Sequence, residues 1–253
     1  MIYGLYLSAT GILANSYNID TLSNNLANSE SVGFKRDLTL FRERLTQQQE
    51  SNHAQDWSDP VLEKIGGGLT VNPTVIDSQQ GEMEETGNPL DVAIDGNGYI
   101  ATSDDGGTHL TRDGRLMVNQ NGQLVSANSH GSRILDDKQK PIVLSPGAAT
   151  IIGLDGTVTQ NGQKVAQIGL FDVPDKTLLT KKGAGMLDYP DMGQLTTGTG
   201  QFRSQTIEHS NVDPTTELAQ LMQAQRQLEA NANMIHYQDE TLQQLVQSVG
   251  KIS

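Results

Sequence analysis

Both ends of this 253-residue chain carry the same spacing of apolar residues, and that spacing limits the folds open to it. From the N-terminus, Ile2, Leu5, Ala9, Ile12, Ser16, Ile19, Ser23 and Leu26 alternate steps of three and four. At the other end Leu218, Leu221, Gln225, Leu228, Ala232, Ile235, Asp239, Leu242, Val246 and Val249 do the same. This is the seam of a heptad helix. The first helix, about 27 residues long, spans roughly 40 Å. The second opens at Asp213 and Pro214, a capping carboxylate followed by a residue with preset φ and no N–H to satisfy. Tyr3, Tyr6, Leu7, Leu13, Ala14 and Tyr17 lie off the first seam, so that helix is apolar on nearly every side and needs more than one partner surface. Gln225 and Asp239 either fix the register of the second seam at a cost in stability or face solvent at the edge of a wider bundle.

Between the ends the pattern shortens. Asp95-Gly96, Asp105-Gly106, Asp113-Gly114, Asn121-Gly122, Asp155-Gly156 and Asn161-Gly162 punctuate β-prone runs such as "LDVAI", "GYIATS", "GRLMV", "GQLVSA", "ATIIGL" and "GTVTQ". Such dipeptides supply the positive φ of tight hairpin turns. The fold class expected is α+β: a discontinuous helical coiled-coil domain from both termini, residues 1–44 and 205–253, with a central β-rich hairpin domain at 85–204. Residues 45–84 read as an extended linker or arm, polar and Gln-rich in "LTQQQESNHAQDWSDP", with short strands near Leu69 to Ile76. Trp57 stands alone in it, either an interface anchor or packed on its own domain.

Chemistry is sought without success. Formal charge is -13, and Glu82, Glu84, Glu85, Asp91, Asp95, Asp104 and Asp105 form an acidic run without Lys or Arg between them. That surface repels phosphate backbones and keeps the chain soluble; no nucleic acid is expected as a partner. There is no cysteine, hence no thiolate nucleophile or cysteine-bound metal. His53, His109, His130, His209 and His236 are scattered without HExxH spacing. "DDGGTHLTRDGR" lacks the spacing of a calcium loop, Gly66 to Gly68 precede no Gly-Lys-Ser/Thr, and "GLYLSATG" is no nucleophile elbow. The expectation is no catalytic residue, no cofactor and no metal. Ser8, Thr10 and Asn15 interrupt an N-terminus without a basic region, so neither a cleavable signal peptide nor membrane insertion is expected. Taken alone, this points to the cytoplasm.

The ends then carry a resemblance. "SATGILANSYNIDTLSNNLANSESVGFKR" resembles the N-terminal signature of the flagellar rod and hook axial proteins, with Ser8, Thr10, Gly11, Ser23, Asn25, Leu26, Ala27, Asn28, Gly33, Phe34 and Lys35 in matching places. "NPLDVAIDGNGYI" and "TRDGRLMVNQNGQLV" resemble the family's β-domain, and "SNVDPTTELAQLMQAQRQLEANANMIHYQDETLQQL" its C-terminal helix, with Ser210, Asn211, Val212, Glu217, Leu218, Ala224, Gln225 and Arg226 matching. Thr21 and Val32 depart from the more usual residues. The resemblance implies a structural subunit of the bacterial flagellar basal-body rod, its length favouring a rod protein over the hook and the lack of a long rod-specific arm in residues 45–80 favouring the proximal type, with the distal rod or hook as alternatives. It replaces the cytoplasm by the periplasmic rod, reached through the flagellar export apparatus without a cleavable signal peptide. The partners implied are further copies of the chain and other rod and hook proteins. A coiled-coil adhesin with a β head is the rival of another class.

The assembly residues expected on this basis are Leu5, Ala9, Ile12, Ile19 and Leu26 on the first helix, and Leu218, Leu221, Gln225, Leu228, Ile235 and Leu242 on the second. Asn24, Asn25, Asn28, Gly33 and Phe34 complete them at the helix exit. There Asn28 is expected to take the left-handed cap, Gly33 to reverse the chain before Phe34, and the Asn24 and Asn25 amides to face neighbouring subunits.

Overall fold

The structure, a computed structural model, describes residues 2–43, 68–128 and 131–249. The expectations for residues 45–67, Trp57 and His53 among them, and for His130 lie outside the described residues. The chain divides into two units: residues 1–26, 37–74 and 214–253 form the first, and residues 27–36 and 75–213 the second.

The first unit holds the helices α1 (Ile2–Ala27, whose last residue belongs to the second unit) and α2 (Pro214–Val249), and a two-stranded ribbon of β1 (Asp37–Glu43) and β2 (Leu69–Ile76, whose last two residues belong to the second unit). The helix starts at Pro214, as the Asp-Pro pair requires, and β2 falls on the strand expected in the arm. The ribbon has an inverted pattern. Thr39 is half-buried and its hydroxyl donates to the Asn18 side chain at 2.9 Å, while Leu38 and Leu40 on the opposite face are exposed.

The second unit is built of short strands. They are β3 (Met83–Glu85), β4 (Val92–Asp95), β5 (Tyr99–Asp104), β6 (Gly107–Thr111), β7 (Leu116–Val118), β8 (Leu124–Ser126), β9 (Arg133–Ile134), β10 (Thr150–Ile152), β11 (Thr157–Gln160) and β12 (Gln163–Gln167), continuing with β13 (Leu170–Asp172), β14 (Thr180–Gly183), β15 (Met186–Asp188), β16 (Thr196–Thr197), β17 (Gln201–Ser204) and β18 (Thr206–Glu208). The largest sheet runs β14-β15-β6-β5-β9-β8-β7, with β13 and β16 attached through β5. Strand β5 is its centre because it is apolar on both faces. Ile100 packs into a core with Val92, Ile94, Leu124, Ile134 and Phe202, while Tyr99 and Ala101 point into a second core with Leu110, Leu135, Leu187 and Tyr189. The returning strands close the unit: β17 pairs with β4 and β18 with β3, so residues just before α2 zip onto the start of the β region.

The hairpin dipeptides are mostly where the chain turns. Asn161 and Gly162 have φ of 52° and 80° between β11 and β12, and Gly122 and Gly156 are also at positive φ. Asp95-Gly96 joins β4 to β5, which do not pair with each other, and Asp113-Gly114 also departs from the expectation. The latter makes no hairpin; Gly114 accepts the Val92 amide at 2.9 Å, and a Cβ there would overlap the Val92 carbonyl. Glycine is required at that point by close backbone approach and not by φ. Alanine at the two positions should therefore differ in effect. Gly162→Ala meets no atom within 4 Å and pays only the left-handed strain, about 1–2 kcal/mol. Gly114→Ala should lose more than about 3 kcal/mol, because backbone must move. Urea midpoints of the two variants check this.

Candidate assembly interface

The first unit brings the two helices together along small and amide side chains. A Cβ on Gly4 would lie 2.8 Å from the Gln238 amide nitrogen, and one on Gly11 2.9 Å from that of Asn231. A step of seven forward along α1 is matched by seven backward along α2, so the helices run antiparallel. The same step continues to the levels of Asn18 with Ala224 and Asn25 with Glu217, and Asn25, Ala224 and Glu217 are only 1–2% exposed. On α2 the residues kept from full exposure are Glu217, Leu221, Ala224, Leu228, Asn231, Ile235, Gln238 and Leu242, and every other described side chain of that helix is exposed.

This corrects half of the expected seam. Leu221, Leu228, Ile235 and Leu242 lie on the inner face, but the alternate rank sits one residue earlier than expected. Leu218 and Gln225 are exposed, as is Asp239, so the polar seam residues face solvent in the chain. On α1 the line that includes Gly4 and Gly11 likewise runs one residue earlier, through Ser8, Asn18, Leu22 and Asn25, of which Ser8, Leu22 and Asn25 are buried; Ala14 and Thr21 are buried beside it, and Leu5, Ala9, Ile12, Ile19 and Leu26 are half-buried. The physical reason is helix separation. Glycine lets a partner side chain lie against the backbone, so the closest line is set by small residues while bulky apolar ones border it. The spacing of Gly4 and Gly11 by seven was the available signal, and hydrophobicity alone does not read it.

The helix exit is built from the remaining candidates. Asn25 is buried: its side-chain amide donates to the Asp37 carbonyl and its oxygen accepts the Asp37 amide, both at 2.9 Å. Both ends of the amide are thus occupied within the chain, which overturns the expectation that Asn25 faces a neighbouring subunit. It imitates one rung of a strand ladder and fixes where β1 begins. Asn24 is exposed. Asn28 does not take a positive φ; its carbonyl accepts the Ser31 amide at 3.1 Å and its side chain the Ser31 hydroxyl at 3.3 Å, closing a turn. Gly33 does reverse the chain, at φ 71°, and a Cβ there would lie 2.5 Å from the Arg112 carbonyl carbon. Phe34 is buried with the Lys181 ammonium 3.7 Å from its ring centroid.

The next residue carries most of the electrostatics. Lys35 Nζ lies 2.5 Å from Glu208 Oε1 and donates to the Gln79 carbonyl at 2.7 Å. Glu208 also accepts from the Gly81 amide at 3.0 Å and from Arg112 at 3.1 Å, with both cations and the carboxylate buried. Burial holds the Lys35 ammonium below the usual lysine range, against the pull of Glu208 in the other direction. Asn211 adds a clamp, accepting the Arg36 amide at 2.8 Å and donating to the carbonyls of Asp77 and Gln79. Glu208, Arg112, Gly4 and Gly11 were not among the expected site residues; nothing in the sequence marks Glu208 or Arg112 as partners of a lysine so far along the chain. Among the described residues no acidic or histidine cluster is shaped to hold a metal ion, and no helix is long and apolar enough to cross a membrane.

Comparison with known proteins decides the family. The "Flagellar hook protein FlgE/F/G D1 domain" model matches residues 93–160, and the "Flagellar basal body rod FlgEFG protein C-terminal" model matches residues 203–248. The chain is 31% identical to the flagellar basal-body rod protein FlgF of Caulobacter vibrioides over 251 residues, covering 98% of both chains. It is 32% identical to FlgG of Buchnera aphidicola subsp. Schizaphis graminum, over 98% of this chain and all of the relative, and 30% identical to FlgG of Bacillus subtilis, over 97% and 98%. The chain belongs to the flagellar basal-body rod protein family. It is a structural subunit of the rod, and its place is the basal body.

Within this rod subunit the helix-exit motif is an internal fastening. Asn25→Ala should lose two buried backbone bonds and destabilise the first unit by about 2–3 kcal/mol. Lys35→Ala should cost the second unit about 3–5 kcal/mol by leaving a buried carboxylate with one cation fewer. Chemical denaturation of the dilute protein, followed by circular dichroism for the helices and by amide hydrogen exchange in β4, β5 and β6 for the β unit, checks both.

Proposed function

We propose that this rod subunit builds the axial structure by packing its terminal helices, in coiled-coil fashion, against those of further copies and of other rod and hook proteins, so that torque passes through interlocked subunits. The observation that carries this reading is apolar surface left uncovered in the first unit. Leu13 is 68% exposed, Tyr237 66% and Val246 71%, and Leu218, Met222, Leu38, Leu40 and Phe41 are exposed as well. Uncovered apolar side chains in such number are the mark of an interaction surface. The half-buried Leu5, Ala9, Ile12, Ile19 and Leu26, with Leu221, Leu228, Ile235 and Leu242, border the closed helix pair and deepen on assembly; Gln225 and Asn24 contribute polar rims. A contact between unlike patches of successive subunits does not close on itself and generates a helical tube.

The second unit then serves as the β-rich part, joined to the helical part by four chain crossings. Alignment length favours a FlgF-type, proximal subunit. FlgF relatives align over 251 to 253 residues, whereas FlgG relatives align over 256 to 268, most of them over 265 or more. Delivery through the flagellar export apparatus fits a chain without cysteine, which forms no cross-link before it is threaded.

Substituting Leu13→Asp or Tyr237→Asp leaves the internal helix contacts untouched and removes about 1.5–3 kcal/mol of burial per contact, roughly ten- to a hundredfold in affinity. Expected is an unchanged circular dichroism spectrum of the dilute protein together with loss of the subunit from detergent-washed basal bodies and loss of motility. Normal incorporation of both variants would overturn the role of this surface.

A further inference from the structure

His109 is buried in the second unit, on β6, and both of its ring nitrogens face charged groups. Nδ1 meets the carboxylate of Asp188 on β15. Nε2 has two neighbours of opposite kind: Asp104 Oδ1 from the end of β5, at 3.0 Å, and the Lys182 ammonium from β14, at 2.9 Å. The Asp105–Arg133 pair, 3.8 Å apart, stands outside the cluster with Asp105 fully exposed. A single ring nitrogen cannot serve both neighbours. With a proton it donates to the carboxylate and repels the ammonium; without one it accepts from the ammonium and faces a lone pair of Asp104.

Lysine is brought there by a distortion of the strand. The register of β14 against β15 shifts between Lys181 and Gly183, which leaves Lys182 as the extra residue of a bulge. Bulges re-aim a side chain that regular alternation would send to the other face. On the other side, desolvation pushes the Asp104 carboxyl up, but the Gly106 amide, His109 and Lys182 outweigh it and hold Asp104 below the ordinary aspartate value, so it stays an acceptor in mild acid.

We propose that His109 is a proton-operated selector between Lys182 and Asp104. Neutral, the imidazole donates from Nδ1 to Asp188 and accepts at Nε2 from Lys182, so hairpin β14–β15 is held to β6 at both strands. Protonated, it donates from Nε2 to Asp104 and releases Lys182. The neighbour of Lys182 is Lys181, the residue lying on Phe34 of the helix-exit motif, so the release loosens the strand that covers that motif. Histidine is the side chain whose charge ordinarily changes near neutrality, which makes it the natural carrier of such a selection.

The test uses the full chain labelled with 15N-histidine, dilute enough to stay monomeric, with ring nitrogen shifts recorded from pH 9 to pH 5. His109 is assigned from the signal that Lys182→Met moves and His109→Gln removes. Expected at high pH is the tautomer with the proton on Nδ1, passing on acidification to the doubly protonated ring, with amide exchange in β14–β15 rising about tenfold beyond the change in other hairpins. In Lys182→Met that excess should vanish while the fold persists. A neutral ring protonated on Nε2, or β14–β15 exchange that follows the rest of the sheet at every pH, would overturn the proposal. Should His109→Gln fail to fold, the wild-type shifts and the Lys182→Met variant decide it alone.

Discussion

A buried carboxylate holds the second unit together at the point where three distant stretches of chain arrive. Glu208 ends the last β strand before the C-terminal helix and receives Lys35 from the helix exit, Arg112 from the central sheet and the Gly81 amide from the approach to β3. Charges out of water are costly unless paired and fully bonded, so each partner's position is dictated by the others. Arg112 is fixed further by the carbonyls of Ile94 and Gly96 and by the Tyr99 ring 5.3 Å away. Because Gly33 and Phe34 immediately precede Lys35, the turn of the chain and the burial of the ring follow from the same anchor.

The two ends of that excursion are fastened differently. Residues 27–36 leave the first unit and return to it at Asp37. Their departure and return are tied within the first unit by the neutral, two-way amide of Asn25, while their tip is held in the second by charge. A neutral amide loses little on burial when both its ends are bonded; an ammonium needs a carboxylate. The side chains of the motif are thus used in internal bonds, whereas the exposed large apolar side chains of the first unit lie on the helices and the β1–β2 ribbon, which is the surface proposed for assembly.

Much of the fold was legible. Helix and strand periods differ, and the turn dipeptides carry their own φ requirements, so the two long helices, the β-rich middle and the strand at Leu69–Ile76 follow from local rules. The site was legible in outline and misread in detail. Heptad spacing placed Leu221, Leu228, Ile235 and Leu242 on the inner face, but the other rank shifted by one residue because Gly4 and Gly11 let Gln238 and Asn231 approach. Asn25 had a polar side chain at a helix end, which reads equally well as a subunit contact or a local tie; only the position of Asp37 distinguishes them.

The sequence by itself therefore determined the kinds of element, their order and the family, because each rests on spacing between near neighbours and on motifs that keep their order. Tertiary structure alone decided which carboxylate receives Lys35, why Gly114 must be glycine when its φ is ordinary, and which side of each helix is closed. Those outcomes depend on groups far apart in the chain meeting at hydrogen-bond or van der Waals distance, and no local pattern records such a meeting.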